Sequence, residues 1–80
     1  MSRLLVKVHK NDYPNLIGHA SYYRDDMDFH ILESHGEEYE VEIISSDTRA
    51  LECLQSALNL IGPPLYWDVR LHRKEEDDAN

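Results

Sequence analysis

One stretch of this chain alternates strictly between acidic and apolar side chains, and that alternation limits what it can form. The stretch, residues 38–45, reads Glu-Tyr-Glu-Val-Glu-Ile-Ile-Ser. Successive side chains of a β-strand point to opposite faces, so a period of two separates the glutamates from the tyrosine, valine and isoleucine. The pattern predicts a half-buried strand whose solvent face carries a row of three carboxylates: Glu38, Glu40 and Glu42.

Similar alternation predicts further strands elsewhere in the chain. Runs of this kind, rich in aliphatic and aromatic residues, are typical of strands. They lie at residues 3–9, 16–23, 27–32 and 65–72. Residues 10–15 contain Asn, Asp and Pro and are typical of a loop, and Ser-His-Gly at 34–36 is typical of a turn. We therefore expect residues 27–45 to form a hairpin.

Helical periodicity is clearest after residue 47. Ser45-Ser46-Asp47 offers side chains that cap a helix N-terminus, and Gly62 followed by two prolines ends one. Between these signals, apolar residues recur at spacings of three, four and three, which predicts an amphipathic helix packed on a sheet. They are Leu51, Leu54, Leu58 and Ile61. Cys53 neighbours this stripe, so we expect it to be a buried, inert thiol.

These elements predict an α+β fold. We expect an antiparallel meander of about four strands, one amphipathic helix packed on one face, and a final short strand, in the order ββββαβ. Residues 1–73 are predicted to form one domain. Residues 74–80, Lys-Glu-Glu-Asp-Asp-Ala-Asn, are predicted to be a disordered acidic tail because they have no apolar anchor. The sheet face away from the helix would be solvated or covered by a partner.

The predicted helix resembles the closing helix of a group of small bacterial strand-then-helix domains of unknown function. Their helix typically reads Leu-Gln-Ala-Leu-Gln-Leu-Ala-Leu-Gln-x-Ile-Gly. Residues 50–62 match it in register at Leu51, Leu54, Gln55, Ala57, Leu58, Ile61 and Gly62. This chain lacks the Gly-Val-Asp that leads into that helix and adds the segment 65–72. The resemblance implies a fold and no activity.

Charge narrows the class of partner. Residues 25–52 hold ten acidic side chains and one basic one, Arg49, and the whole chain has a formal net charge of −8. Such charge repels itself in a small domain and attracts basic partners. It disfavours direct binding to nucleic acid or to an anionic membrane, both of which require basic residues. No uninterrupted apolar run approaches the ~20 residues of a membrane span, and charges interrupt the N-terminal apolar run, so we expect a cytoplasmic protein.

Catalytic and metal-binding patterns are weak. The chain has one cysteine, five histidines without metal-ligand spacing, and three scattered glycines that make no phosphate loop. We therefore predict no catalytic residue, no metal, no cofactor and no enzyme activity. A zinc site assembled across strands, for example from His19 and His30, is the alternative.

The function that fits best is protein binding. The carboxylate row would mimic a phosphate backbone and dock on a basic nuclease, toxin or nucleic-acid-guided complex. Immunity proteins and phage anti-defence (anti-CRISPR) inhibitors act in this way, and this chain is similar to them in size and charge only. The predicted partner-binding residues are Glu38, Glu40, Glu42, Asp25, Asp26, Asp28, Glu33 and Tyr66. Tyr66 is included because Trp67 shares the apolar face of its strand and is expected in the core.

Two alternatives to docking remain open. The acidic row is also what a solvated strand face carries to discourage edge-to-edge aggregation. The protein would otherwise be a structural or accessory domain that forms a homodimer through its uncovered face or an edge strand.

Overall fold

Two β-α-β units interleave in one four-stranded sheet. The computed structural model describes residues 2–73. Its elements are β1 (Ser2–His9), α1 (Tyr13–Tyr23), β2 (Asp28–His35), β3 (Glu38–Ser45), α2 (Thr48–Ile61) and β4 (Tyr66–His72), with a 3₁₀ turn at Lys10–Asp12 before α1. The strand order is β2-β3-β1-β4, and every neighbouring pair is antiparallel. Each helix therefore connects two strands that are separated by a third, which is the split βαβ arrangement of ferredoxin-like sheets.

Both helices pack on the same face of the sheet. The core lies between this face and the helices. The residues of β1 alternate between buried and less buried along its whole length, so one side of this strand faces the core and the other faces away from it. The fully buried apolar side chains of β1 and β3 are Leu4, Val6, Val8, Val41 and Ile43. They meet Leu16 and Ala20 of α1 and the stripe Leu51, Leu54 and Leu58 of α2. The other face of the sheet carries no helix.

The main elements of the sequence prediction are confirmed. The fold is α+β with an antiparallel sheet, an amphipathic helix against it and a final strand. β3 has the predicted bounds, and α2 begins and ends at the predicted signals. The Asp47 side chain accepts a hydrogen bond from the Ala50 amide at 3.2 Å, and Gly62 has a φ of +67°, which favours glycine.

The predicted strand at residues 16–23 is wrong, because this segment belongs to α1. Tyr13, Leu16, Ala20 and Tyr23 follow spacings of three, four and three, and Leu16 and Ala20 are the buried residues of this helix. Pro14 lies in the first turn, where a missing amide costs no hydrogen bond. The element order is thus βαββαβ, and the sheet has one strand fewer than the order ββββαβ implied.

The predicted facing of Tyr66 and Trp67 is also wrong. Lys7 pairs with Trp67 and Leu5 pairs with Arg70, so β4 contains an extra residue between the two pairs. This bulge includes Asp68, whose φ is +57°, and it reverses the alternation along β4. Tyr66 is consequently in the core with only 1% exposure, whereas Trp67 lies opposite Lys7 on the other face.

Cys53 is exposed, contrary to the prediction. It directly precedes the buried Leu54, and neighbouring helical residues lie about 100° apart around the axis, so it falls outside the buried stripe. Neither helix within residues 2–73 has the length and apolar content needed to cross a membrane. The predicted acidic tail at 74–80 lies outside the described residues.

The core position of α2 leads to a stability prediction. Leu54→Ala should lower the free energy of unfolding by about 2–5 kcal/mol, because Leu54 is fully buried and its truncation leaves a cavity. The matched control is Leu60→Ala on the same helix, where the side chain is 91% exposed and the expected change is below about 0.5 kcal/mol. Urea denaturation followed by circular dichroism measures both changes. Equal losses in the two variants would contradict this packing of α2.

Candidate functional site: the open face of the sheet

The sheet face that carries no helix, which we call the open face, gathers most of the predicted binding residues. Its composition follows from the strand register, since the residues between the buried positions of β1 and β3 point away from the core. Its charged side chains are Arg3, Lys7 and Arg70 among the bases and Asp28, Glu33, Glu38, Glu40, Glu42 and Asp68 among the acids. Acids therefore outnumber lysines and arginines on this face.

The three glutamates of β3 form the expected row on the open face. They alternate with Val41 and Ile43, which are fully buried on the other side of the strand. Neighbouring members of the row are two residues apart along the strand, about 6.6 Å. The row geometry predicted from the alternation is thus present.

Two of these three glutamates already have cationic partners in the chain. An Arg3 Nη1 atom lies 2.9 Å from Glu42 Oε2, and an Arg70 Nη2 atom lies 3.5 Å from Glu40 Oε2. The glutamate side chains are correspondingly sheltered, at 14% exposure for Glu42 and 23% for Glu40. The row is therefore not the uncompensated line of charge that the sequence predicted.

The carboxylates of the open face that have no lysine or arginine partner lie towards β2. Within residues 2–73, Glu38 has no ion pair with a lysine or an arginine, and it is opposite His9 on one side and His35 on the other. Among the described residues, Glu33 forms its ion pair with the His35 ring, with Nε2 and Oε2 2.5 Å apart. Glu33, Glu38 and Glu40 surround a pocket of about 140 Å³, which Lys7, His35 and Tyr39 complete. We call this the acidic pocket.

The three aspartates of the predicted site lie away from the acidic pocket. Asp28 is opposite Ile44, at the far end of the β2–β3 pair from the acidic pocket. The Arg24 guanidinium clamps Asp26, with Nε 2.6 Å from Oδ1, and holds the pKa of that carboxyl below its usual range. Asp25 precedes this clamp in the loop before β2 and is exposed. Asp25 and Asp26 thus lie in the loop before β2, and Asp28 is separated from the acidic pocket by most of a strand's length, about 20 Å.

Sequence reasoning missed the basic residues and one aromatic residue of the open face. Arg3, Lys7 and Arg70 come from strands far from β3 in sequence, and only the strand order places them beside the glutamates. The aromatic residue is Trp67, which the bulge turns onto this face in place of Tyr66. The alternation of Arg, Lys and His along residues 3–9 indicates that one face of this strand is charged. It does not indicate which other strands lie beside that face.

The arrangement offers no metal centre within the described residues. No group of three or more histidine, cysteine, aspartate or glutamate side chains between residues 2 and 73 is placed to hold a metal ion. The zinc pair considered above, His19 and His30, is divided by the sheet, since His30 lies on the open face and His19 on α1.

The chain matches no protein-family model, no curated protein and no solved structure. The resemblance of residues 50–62 to a group of bacterial domains therefore stays a sequence likeness. The split βαβ topology itself hosts unrelated functions, so function has to be argued from the site.

The ion pairs of the open face lead to a quantitative prediction. Double-mutant cycles with Arg3→Ala and Glu42→Gln, and with Arg70→Ala and Glu40→Gln, should give coupling energies of about 0.2–1 kcal/mol, as for other partly exposed pairs. Urea denaturation of the single and double variants measures them. Arg3→Ala with Glu38→Gln is the control and should show no coupling. A coupling above about 2 kcal/mol would mean that these glutamates are locked to their own arginines.

Proposed function

We propose that this protein is a small protein-binding module whose open face docks on a basic, nucleic-acid-handling protein and inhibits it. The observation that carries the proposal is the acidic pocket, where three carboxylates surround a concavity on a sheet face that no helix covers. A guanidinium or ammonium group from a partner would find acceptors there without displacing an apolar side chain.

The internal ion pairs are compatible with docking. Arg3 and Arg70 are each about half exposed, and surface pairs of this kind contribute little to stability. A partner cation can therefore replace Arg70 at Glu40 at small cost. The internal pairs would then serve to hold the carboxylates in fixed positions before binding, which lowers the entropy lost on association.

Trp67 supplies an apolar contact beside this charge. It is half-buried on the open face, opposite Lys7, and tryptophan is enriched among the residues that dominate binding energies. Carboxylates would steer a basic partner and set its orientation, while Trp67 would contribute buried area at the centre of the contact.

The class of partner follows from charge. A chain of net charge −8 repels nucleic acid, but it suits the basic groove in which a nuclease, a toxin or a nucleic-acid-guided complex holds its nucleic acid. Occupying that groove would block the partner competitively. An immunity protein and a phage anti-defence inhibitor both act on such partners. Under this proposal the protein lies in the cytoplasm, where such partners handle nucleic acid.

The experiment compares two variants of equal charge in partner capture from a lysate of the source cell. Glu33→Gln/Glu38→Gln/Glu40→Gln removes three negative charges at the acidic pocket. The control, Cys53→Lys/Ser56→Lys/Asn59→Lys, adds three positive charges on the exposed side of α2, so both variants have the same net charge. With the captured basic protein purified, we expect association to slow about ten-fold or more at low salt for the first variant only. Equal association rates for both variants would overturn the docking site.

A homodimer through β2 is the second candidate, and the exposed edge of the sheet favours it. β2 is exposed along most of its length, and Ile31 and Leu32 are 45% and 48% exposed on it. An edge strand with free backbone groups and apolar side chains can pair with a copy of itself.

Sedimentation at micromolar concentrations tests the dimer. If β2 pairs with itself, the wild-type protein should sediment with twice the monomer mass, and Ile31→Lys should return it to the monomer. Leu60→Lys, which places the same charge on an exposed position of α2, should leave the dimer intact. A wild-type protein that remains monomeric across the concentration range would contradict this candidate.

A further inference from the structure

A groove lies on the helical side of the molecule, away from the open face. It runs between the start of α1 and the end of α2 and has a volume of about 460 Å³. Its apolar walls come from Pro14, Ile61 and Leu65, and its polar groups come from Asp12, Asn15, His19 and Tyr66. This is the size range of sites for small organic ligands, which are mostly apolar with a few convergent polar groups.

Two oxygen atoms of the groove residues are buried without a hydrogen-bond partner within residues 2–73. They are Oδ2 of Asp12 and the hydroxyl oxygen of Tyr66. Both residues are more than nine-tenths buried. Burial raises the pKa of the Tyr66 hydroxyl, and the Asp12 carboxylate, which lies close enough to attract the hydroxyl proton, raises it further, although no hydrogen bond of ordinary geometry joins the two groups. Buried polar atoms are normally paired, so this pair of oxygens is a marked exception.

No lysine or arginine lines the groove beside the Asp12 carboxylate. Within residues 2–73, the one side-chain hydrogen bond of Asp12 is donated by Asn15 Nδ2 to Oδ1, at 2.8 Å. Asp12 precedes the first turn of α1 but makes no side-chain cap to it, so the helix N-terminus compensates the charge only in part. A buried carboxylate is normally matched by a positive partner.

We propose that this groove binds an alkylammonium group. The ammonium would donate hydrogen bonds to Asp12 Oδ2 and to the Tyr66 hydroxyl oxygen, which satisfies both unpaired atoms with one ligand. The alkyl stem would lie against Pro14, Ile61 and Leu65. The partial exposure of Ile61 and Leu65, about 40% each, is consistent with a surface that a stem covers.

Access to the oxygens requires a small movement. Both are shielded from solvent, so a groove side chain must turn before the ammonium reaches them. Asn15 is exposed and bound only through its amide to Asp12, which makes its rotation the simplest opening. Side-chain changes of this scale are common on binding.

Titration of ¹⁵N-labelled protein, followed by amide chemical shifts at constant pH and ionic strength, tests the proposal. n-Butylammonium should give saturable shifts at residues 12–19 and 61–66, and n-butanol and butyrate, which share the stem without the positive charge, should not. Nα-acetyl-lysine methylamide distinguishes the source of the group. Tighter binding of this probe than of butylammonium would identify a peptide lysine as the ligand, and the reverse a free amine.

Variants separate ligand binding from fold. Asp12→Asn should weaken butylammonium binding by about ten-fold or more, whereas Asp25→Asn, an equal charge change beyond the other end of α1, should leave it unchanged. Tyr66→Phe removes only an unpartnered hydroxyl and should fold normally while binding several-fold more weakly. Shifts that do not saturate with either amine, or that butanol reproduces, would overturn the proposal. The two buried oxygens would then be satisfied by a bridging water or by a direct hydrogen bond between Tyr66 and Asp12.

Discussion

The structure depends on the antiparallel pairing of β1 with both β3 and β4. β1 occupies the interior of the sheet, and its residues Leu4, Val6 and Val8 form the floor on which both helices pack. Because one side of this strand must be apolar, its other side is free to carry Arg3, Lys7 and His9. The same pairing therefore sets the core on one face and brings bases beside the glutamates of β3 on the other.

That placement changes the meaning of the acidic composition. A net charge of −8 suggests a surface of unopposed carboxylates, but charge on a sheet is compensated strand by strand. Arg3 of β1 reaches Glu42, and Arg70 of β4 reaches across β1 to Glu40, whereas Glu38 lies opposite His9 and His35, and Glu33 contacts His35. The excess negative charge is thus concentrated towards β2, the same edge on which apolar side chains are exposed. A docking partner and a second copy of the chain would compete for neighbouring surfaces.

The accuracy of the sequence reading varied with how local each signal was. The hairpin, α2 and β4 were predicted because alternation, capping residues and Gly-Pro punctuation act within a few residues. α1 was missed because its polar first turn resembled a loop, although Tyr13, Leu16, Ala20 and Tyr23 carry helical spacing. The exchange of Tyr66 and Trp67 had no comparable signal, since a single bulged residue reverses every side chain beyond it.

By itself the sequence determined the α+β class, the outward row of three glutamates and the apolar stripe of α2, because each follows from a short-range periodicity. Tertiary structure alone decided which glutamates are neutralised, which aromatic residue reaches the open face, and that Asp12 and Tyr66 meet in one groove. These outcomes depend on strand order and register, which join residues dozens of positions apart. No local pattern encodes which distant strand will supply a neighbour.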